Sequence, residues 1–359
     1  MFQNVVVKNF RCFTGLVLRP LGRINLIAGK NNTGKTALLE AIHLHNNPAD
    51  WQLPLRINRY RGIDPEKAAL ELTRWLFWNQ EGENGLEISS QDEQGISRTL
   101  ILNLVDAQTA LERYPEAEKQ LRNSMAPGLG DPWSSRLVLR YQQPGEPERV
   151  SIGVQTGHGP NYRGITYITS RIPWNIHSVF LASGVADQAQ DVQFFGELEL
   201  AKRQEEILPA LQIVEPRLQR LSLVPLASEP VIHGDIGLAR LVPVPLMGEG
   251  LRRILSIVLG IANAPGGVVL IDEIENGLHY SVQKQVWQAI AKAARAVDAQ
   301  VFATTHSWEC LRWAHEAFEE DGTYDLRLHR LDRNEQEISV VSYNRDMIET
   351  ALYSGLEMR

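Results

Sequence analysis

The feature that most constrains this chain is the run Gly-Lys-Asn-Asn-Thr-Gly-Lys-Thr at residues 29–36. It fits the phosphate-loop pattern G-x-x-x-x-G-K-[ST], which functions between a strand and a helix. Residues 23–28 predict that strand, and leucine and isoleucine at helical spacing after residue 35 predict the helix. Glycines let the backbone N–H groups of such a turn surround phosphate oxygens at a helix N-terminus. The pattern therefore predicts an α/β fold with a nucleotide phosphate site.

Two side chains of this loop have specific expected roles. The Lys35 ammonium group is expected to reach the β- and γ-phosphates, and the Thr36 hydroxyl is expected to bind Mg²⁺. The other expected nucleotide contacts in the loop are Gly29, Asn31, Asn32, Thr33 and Gly34. The alternative is a glycine-rich turn that carries a lysine by chance, and a complete motif between a strand and a helix disfavours it. ATP and Mg²⁺ are the predicted cofactors.

A second segment places two acids directly after an apolar run at residues 268–271. Four consecutive apolar residues predict a buried strand. Asp272 at its tip is expected to hold Mg²⁺ through water, opposite Thr36, and Glu273 is expected to act as general base toward the attacking water. Two acids after a strand are often no more than the start of a loop. Together with a complete phosphate loop, they favour the catalytic interpretation.

A third segment, residues 300–307, is a predicted buried strand followed by Thr-His-Ser. We expect this strand to neighbour the one that ends at Asp272, because open α/β sheets bind ligands at the carboxyl ends of their strands. His306 is then expected to orient the γ-phosphate as a catalytic residue. The alternative is a loop histidine that packs beside Ser307, the predicted N-cap of the next helix.

The remaining sequence predicts hairpins and helices around these three segments. Alternating apolar residues with polar turns predict hairpins, which pair residues 3–8 with 16–18, 86–90 with 99–104, 137–141 with 150–154 and 326–331 with 338–342. Helical patterns cover residues 65–79, 187–221, 251–262 and 281–297, the last with Ser281 as N-cap.

Charge sets limits on the partners. The net charge is −7, whereas a general nucleic-acid binder carries an excess of lysine and arginine. DNA therefore stays open as a partner but is not favoured. Several arginines cluster locally and are interpreted as solvated faces or nucleotide contacts; they are Arg56, Arg59, Arg61, Arg136, Arg140, Arg252 and Arg253.

Other features of the composition favour a cytoplasmic protein. Cys12 and Cys310 are too few for a disulfide framework. The N-terminus lacks a signal-peptide pattern, and the longest apolar stretch, residues 254–264, is shorter than the ~20 residues of a membrane span. His43 and His45 lack cysteine or acidic companions and are not expected to bind a metal. We therefore expect a cytoplasmic protein that does not contact a membrane.

Five motifs follow one another along the chain: residues 7–13 (Val-Lys-Asn-Phe-Arg-Cys-Phe), the phosphate loop, residues 246–253, residues 271–279 and Thr-Thr-His-Ser at 304–307. In this order they resemble the ABC-type ATPase heads of the OLD, RecF and SMC families, and the OLD-like branch most closely. The resemblance implies an α/β P-loop NTPase of the ABC-ATPase type. Its central sheet is expected to be mixed, with an antiparallel N-terminal β-subdomain and a helical insertion.

The resemblance also implies a domain organisation. Residues 1–359 are expected to form a single ATPase head. Most of the chain between the phosphate loop and Asp272, residues 46–240, is expected to be an insertion that resembles no named family. It would comprise β-hairpins at about 80–180 and a helical subdomain at about 187–221.

The same resemblance implies a head-to-tail homodimer or higher oligomer, with ATP between the phosphate loop of one subunit and the signature segment of the other. Gly248 and Gly250 of that segment, and Arg11 near the N-terminus, are the corresponding expected nucleotide contacts. Met247 stands where the signature customarily has a serine, so one side-chain hydrogen bond to the γ-phosphate is lost. The glycines and the helix that begins at Leu251 can still offer backbone donors.

OLD-like proteins often carry a C-terminal Toprim nuclease domain, for which the residues after His306 are too few. The acids at Glu319, Glu320, Asp321 and Asp325 are interpreted as a solvated turn. The main hypothesis is an ATP-binding and hydrolysing switch that works with a separate effector, expected to be a nuclease, in DNA-related or anti-phage defence. The alternatives are a RecF-like DNA-repair ATPase and an ATP-binding scaffold that does not hydrolyse.

Overall fold

A computed structural model describes most of the chain. The described residues are 1–50, 52–63, 72–124, 135–155, 165–169, 176–183, 187–335, 337–355 and 357–358. They form a six-stranded, a seven-stranded and a three-stranded sheet with helices packed on them. Within these ranges, none of the helices has the length and hydrophobicity that a bilayer-spanning segment requires.

The strands in chain order are β1 (Phe2–Phe10), β2 (Phe13–Leu18), β3 (Ile24–Ala28), β4 (Leu86–Asp92), β5 (Ser97–Val105), β6 (Arg136–Gln142), β7 (Arg149–Gln155), β8 (Ile165–Thr169), β9 (Ser178–Leu181), β10 (Arg220–Leu226), β11 (Glu229–Asp235), β12 (Val242–Pro243), β13 (Val268–Ile271), β14 (Gln300–Thr304), β15 (Leu326–Arg333) and β16 (Ile338–Tyr343). The helices are α1 (Lys35–Asn46), α2 (Leu53–Arg56), α3 (Ala107–Arg113), α4 (Pro115–Ser124), α5 (Gln188–Leu200), α6 (Leu208–Leu211), α7 (Glu249–Ala262), α8 (Tyr280–Ala296), α9 (Trp308–Asp321) and α10 (Arg345–Ser354).

The six-stranded sheet, in the order β16-β15-β3-β14-β13-β9, carries all three nucleotide motifs. Among its strands, β9, β13, β14, β3 and β15 run parallel, and β16 is antiparallel to β15. In β13, Val269 and Ile271 pack on one side of the sheet, and Val268 and Leu270 pack on the other. Because both faces are buried, the strand is apolar at every position. The parallel direction brings the carboxyl ends of β3, β13 and β14 to one edge, where the motifs lie.

Helix α1 is packed between this sheet and the seven-stranded antiparallel sheet, whose order is β2-β1-β4-β5-β6-β7-β8. Leu38 and Ile42 of the helix share one apolar cluster with Val5 of β1 and Leu270 of β13. The predicted hairpins β1–β2, β4–β5 and β6–β7 are confirmed. Pairing of β1 with β4, and of β5 with β6, joins the three hairpins into one sheet.

The other face of the six-stranded sheet is covered by α5, α7, α8 and α9, which share a second apolar cluster. The predicted N-cap of α9 is confirmed, because the Ser307 hydroxyl accepts a hydrogen bond from Cys310 N at 3.1 Å. The predicted N-cap of α8 is wrong. That helix begins at Tyr280, so Ser281 already lies in its first turn and His279 is the cap.

The helix predicted at residues 65–79 is only partly within the described residues, which omit 64–71. Leu72 and Thr73 are helical, and residues 74–80 then form two short 3-10 turns separated at Phe77, whose backbone is extended (φ −91°, ψ 142°). Phe77 is buried and forms an isolated antiparallel bridge with Phe10. Packing against the N-terminal strand therefore replaces a continuous helix in this remainder.

The helical prediction for residues 187–221 is correct at its start and too long at its end. Helix α5 ends at Leu200, and Arg220 begins β10, which pairs antiparallel with β11. The alternating residues of β10 were a strand signal that the surrounding polar composition obscured. Strand β9, which lies within residues 46–240, pairs with β13 in the six-stranded sheet. The division of the chain at residues 46 and 240 stays a prediction.

Several charged groups singled out from the sequence are engaged inside the chain. Arg61 Nε lies 2.8 Å from Oε1 of the fully buried Glu40, and Arg136 pairs with Glu118 where both side chains are buried. The acids predicted to form a solvated turn make ion pairs, which join Glu319 to Arg345, Glu320 to Lys284, and Asp321 and Asp325 to Arg295.

The two histidines near the end of α1 have structural partners. His43 Nδ1 lies 2.7 Å from Ser178 Oγ, and His45 Nε2 lies 2.7 Å from Ser90 Oγ. Burial lowers the pKa of each histidine to about 3. Both rings are therefore neutral at physiological pH and connect α1 to the two sheets.

Candidate nucleotide site

The phosphate loop has the backbone shape that its glycines predict. Gly29 and Gly34 have φ angles of 145° and 92°, and Asn32 between them is also left-handed at 63°. A Cβ atom on Gly34 would lie 2.7 Å from Cys12 Sγ. Glycine is therefore required at this position both for the turn and for the close approach of the N-terminal hairpin.

Lys35 begins helix α1 and folds its side chain back over the loop. Its Nζ atom donates to the carbonyl oxygens of Gly29 at 2.7 Å and Lys30 at 3.0 Å. Burial lowers the pKa of Lys35, and the nearby carboxylates, Asp272 foremost, oppose that change. The ammonium group is thus held where the loop backbone would surround a phosphate.

Thr36 and Asp272 meet directly, although most of the chain separates them. The Thr36 hydroxyl lies 3.0 Å from both carboxylate oxygens of Asp272. The Thr304 hydroxyl, at the end of β14, donates to Asp272 Oδ1 at 2.7 Å. Adjacent parallel strands therefore position the buried carboxylate between two hydroxyls. A hydroxyl and a carboxylate are oxygen ligands of the kind that Mg²⁺ prefers.

Glu273 follows in a left-handed backbone conformation, with φ 47°. Its N–H donates to Thr304 Oγ1 at 2.8 Å, and its Oε2 accepts from Asn276 Nδ2 at 2.7 Å. The partly buried guanidinium of Arg253 donates to the carbonyl oxygens of Asp272 and Glu273. Left-handed conformations of residues other than glycine cluster at functional sites, where the surroundings hold them in place. Here three hydrogen-bonding partners do so.

These groups face one cleft of about 910 Å³. Its wall includes the loop from Asn31 to Thr36, together with Asp272 and Glu273. The cleft thus combines backbone N–H groups, an ammonium group and two carboxylates at the carboxyl edge of a parallel sheet, the usual ligand position in α/β proteins.

Comparisons with known proteins agree with this geometry. Residues 178–311 match the family AAA_21, described as "AAA domain, putative AbiEii toxin, Type IV TA system", and residues 4–103 match the AAA domain family AAA_23. An "ATP/GTP phosphatase" of Helicobacter pylori is 22% identical over 365 residues, which cover 97% of each chain. The uncharacterized protein MJECL10 of Methanocaldococcus jannaschii is 39% identical over 77 residues, 20% of this chain and 35% of that protein.

A solved SMC head, bound in its crystal to the C-winged helix domain of ScpA, superposes with a TM-score of 0.51 at 12% identity, covering 98% of this chain and 99% of that one. The fold is that of an ABC-type ATPase head. The mixed sheet, the antiparallel N-terminal sheet and the phosphate loop between them confirm the predicted fold class.

The predicted signature segment lies outside the cleft wall. Gly248 is the N-cap of α7, with φ 102°, and neither it nor Gly250 lines the cleft. A Cβ atom on Gly250 would lie 2.9 Å from the carbonyl oxygen of Gly277. The Met247 side chain packs beside β11, because a Cβ atom on Gly234 would lie 2.9 Å from its sulfur. Met247, which stands where the resemblance leads us to expect a serine, therefore contributes to packing.

His306 lies beside the cleft but does not line it. Its Nδ1 atom is 3.2 Å from Glu275 Oε1, and its backbone N–H donates to the same oxygen at 2.9 Å. The side chain of Glu275 is largely buried. The predicted role of His306 toward the γ-phosphate stays a prediction, and Glu275 is the residue that orients its ring.

Arg11 does line the cleft, but its guanidinium is engaged. Its Nε atom lies 2.6 Å from Glu40 Oε2, and its terminal nitrogen donates to Asn58 Oδ1 at 2.9 Å. Glu40 is fully buried in α1 and pairs with Arg61 as well, and Arg61 lines the same cleft. Nucleotide contact by Arg11 stays a prediction that would require this pairing to loosen.

Several residues of the site received no specific role from the sequence. Thr304 and Arg253 stand inside the recognised motifs, so their proximity to Asp272 could have been suspected from the parallel strands. The pairing of Arg61 with Glu40 has no local sequence signal. Cys12 and Arg333 also line the cleft, and Arg333 donates to the carbonyl oxygen of Asn32 at 2.9 Å.

Proposed function

We propose that this head binds ATP with Mg²⁺ and hydrolyses it. The observation that carries the proposal is the joining of Lys35, Thr36 and Asp272 in one cleft at the carboxyl edge of the sheet. Separate motifs, distant in the sequence, supply a phosphate-binding ammonium group and two oxygen ligands. A glycine-rich turn with a chance lysine would not have such companions.

Thr36 and Asp272 would hold the Mg²⁺ ion together with phosphate oxygens and water, since Mg²⁺ is usually bound by one or two protein carboxylates and its nucleotide. Within the described residues, groups of three or more metal-binding His, Cys, Asp or Glu side chains do not occur. The ion would neutralise negative charge that develops on the phosphates. The buried Thr304 hydroxyl keeps the Asp272 carboxylate turned toward Thr36.

Glu273 is the proposed general base. Its carboxylate lines the cleft directly after Asp272, and its backbone is held by Thr304 and Arg253. Asn276 donates to one carboxylate oxygen and leaves the other for a water proton. His306 is proposed to contact the γ-phosphate from the edge of the cleft, with Glu275 orienting it.

A second copy of the chain is proposed to complete the site. Gly248 and Gly250 would approach the γ-phosphate from the partner head with the N-terminus of α7. Leu246 and Tyr280, exposed by 76% and 62%, lie next to this segment and next to the loop after Glu273. Apolar side chains exposed beside a proposed interface are suited to burial between two heads.

The proposed role is that of a nucleotide-controlled switch subunit in defence, acting in the cytoplasm with a separate effector. The AAA_21 description names an AbiEii toxin and a type IV toxin–antitoxin system, and the Helicobacter pylori relative is named as an ATP/GTP phosphatase. These names support an enzyme that acts on nucleotides in a defence setting. The expected effector is a nuclease.

The test of hydrolysis is Glu273→Gln, compared with wild type for phosphate release and for ATP binding by calorimetry. The variant should lose turnover by a factor of about 100 or more while ATP affinity changes little, since a general base acts in the reaction and not in binding. Glu320→Gln, which alters only the surface contacts of Glu320 with Lys284 and Gln288, is the matched control. Wild-type turnover no greater than that of Glu273→Gln would instead establish a non-hydrolysing scaffold.

The effector is tested by isolating the wild-type chain and Glu273→Gln from native cells. The slow variant should retain the nuclease better, because it stays in the ATP-bound state. Recovery with no nuclease or toxin-like protein would contradict the switch proposal. Strong, salt-sensitive stimulation of turnover by DNA would support the DNA-repair alternative.

A further inference from the structure

One part of the cleft wall has no role in the function proposed above. Beyond Cys12 the wall continues to Trp75, Phe77, Asn79 and Gln80. Trp75 lines the cleft and is 57% exposed, whereas Phe77, two residues later, is buried. An exposed indole at the wall of a nucleotide cleft offers a flat surface on which another planar ring can stack. To stack on the base of a nucleotide bound at the phosphate loop, Trp75 must also be held within reach of that loop.

The residues 75–80, here called the rim segment, are fixed to the phosphate loop through the N-terminal hairpin. Arg11 N donates to the carbonyl oxygen of Leu76 at 2.8 Å. The next residue, Cys12, packs directly on the loop, where a Cβ atom at Gly34 would meet its sulfur at 2.7 Å. The turn between β1 and β2 therefore connects the loop to the rim segment. One backbone hydrogen bond and one side-chain packing contact set the distance between them.

Asn79 and Gln80 present two side-chain amides to the same cleft. Both residues are left-handed, with φ angles of 51° and 62°, a conformation that is uncommon for residues other than glycine. Both are exposed, and neither amide hydrogen-bonds to another residue in the described part of the chain. Each amide carries both donors and an acceptor, the combination that pairs with the edge of a purine.

We propose that Trp75, Asn79 and Gln80 form the base subsite of the cleft and select purine nucleoside triphosphates. This inference rests on the proposed function, because it takes the triphosphate to be bound at Lys35. Trp75 stacks on the base, and the amides of Asn79 and Gln80 hydrogen-bond to its edge. An amide can turn its oxygen or its nitrogen toward the base, so adenine and guanine both fit. A pyrimidine offers a smaller stacking face and binds more weakly.

The test is Trp75→Ala, titrated with ATP and with inorganic tripolyphosphate, each with Mg²⁺. ATP affinity should fall about tenfold, the usual size of a lost base–aromatic stack, while tripolyphosphate affinity stays unchanged. Trp75→Phe should keep most of the ATP affinity because it keeps a ring. Tyr353→Ala removes an aromatic side chain that is 87% exposed and outside the cleft wall, and it should change neither affinity.

The amides are tested by Asn79→Ala combined with Gln80→Ala. This variant should lose about threefold to tenfold in affinity for both ATP and GTP, with tripolyphosphate again unaffected. In wild type, CTP should bind more weakly than ATP, and Trp75→Ala should narrow that difference. An unchanged ratio of ATP to CTP affinity would contradict stacking by Trp75.

Three possible results distinguish a failure of the proposed base subsite from a failure of the proposed ATP binding. Equal losses of ATP and tripolyphosphate in Trp75→Ala would mean that Trp75 only supports the loop, which overturns the base subsite. Unchanged ATP affinity in Trp75→Ala, where Lys35→Ala has lost binding, would place the base elsewhere and leave the proposed function standing. Unchanged ATP affinity in Lys35→Ala would overturn the proposed function itself.

Discussion

The two sides of the proposed ATP site are completed to different degrees within one chain. On the phosphate-loop side, Lys35 donates to the carbonyl oxygens of Gly29 and Lys30, and Thr36 donates to Asp272, all at 3.0 Å or less. On the signature side, Gly248 and Gly250 begin α7 outside the cleft wall. The first side is therefore formed within one chain, whereas in the proposed dimer the second side would act on a nucleotide held by the partner.

Two contacts connect the phosphate-loop side to the signature side. Arg253, in the first turns of α7, donates to the carbonyl oxygens of Asp272 and Glu273. The backbone of Gly250 approaches Gly277, four residues after Glu273. A displacement of α7 would therefore move the loop that carries Glu273, the proposed general base. In the proposed dimer, these contacts would couple nucleotide binding in one head to its partner, as the proposed switch requires.

The largest effect is expected from a substitution of Asp272, on the phosphate-loop side. Asp272→Asn removes the carboxylate charge while keeping one oxygen for Thr304, and it should lower turnover at limiting Mg²⁺ by at least about 100-fold. The measurement is phosphate release as a function of Mg²⁺ concentration. Asp298→Asn, which loses an exposed ion pair with Arg23, is the control and should behave as wild type. Unchanged Mg²⁺ dependence in Asp272→Asn would mean that the ion is held elsewhere.

An intermediate effect is expected from the contact between the two sides. Gly250→Ala would place a Cβ atom 2.9 Å from the carbonyl oxygen of Gly277 and displace the loop that carries Glu273. Turnover should fall roughly tenfold to 100-fold, with ATP affinity nearly unchanged. Gly196→Ala in α5 is the matched control, since its Cβ would meet only Leu223 at 3.9 Å. The control should be more stable by about 0.5–1 kcal/mol. Equal turnover in the two variants would show that the sides are not coupled.

The smallest expected effect is on the stability of the fold and concerns Asp191, a titratable residue that contacts α7. Burial raises the pKa of Asp191, whose carboxylate accepts a hydrogen bond from Ser256 of α7 at 2.7 Å, from 3.8 to about 6. The folded state therefore binds this proton more tightly than the unfolded chain. The associated stability is present below pH 4 and is lost as the pH rises to about 6.

Asp191→Asn removes this titration and should be more stable than wild type by about 1–3 kcal/mol at pH 7.5, with little difference at pH 4. Thermal unfolding of both proteins across that range is the measurement. Ser256→Ala removes a donor to the carboxylate and should steepen the loss of stability with pH. An Asp191→Asn difference that is the same at both ends of the range would exclude the raised pKa as its cause.

The local elements of the site could be predicted from the sequence because each lies in a short segment with its own pattern. The phosphate loop lies between β3 and α1, and β13 ends at Ile271, directly before Asp272, as expected. The predicted hairpins and the cap at Ser307 were equally local. The helical prediction was wrong where tertiary packing outweighed the local sequence pattern. At Phe77, burial against Phe10 interrupts the predicted helix.

What the sequence by itself determined is the chemistry of the phosphate end, since an ammonium group, a hydroxyl and two acids stand in patterns that few other structures use. Only the tertiary structure decided which distant groups support them: Thr304 at Asp272, Glu40 between Arg11 and Arg61, and the rim segment beside the loop. These contacts join residues far apart in the chain. Strand order and the burial of two sheet faces determine which of these residues meet. Neither can be read from a short segment of the sequence.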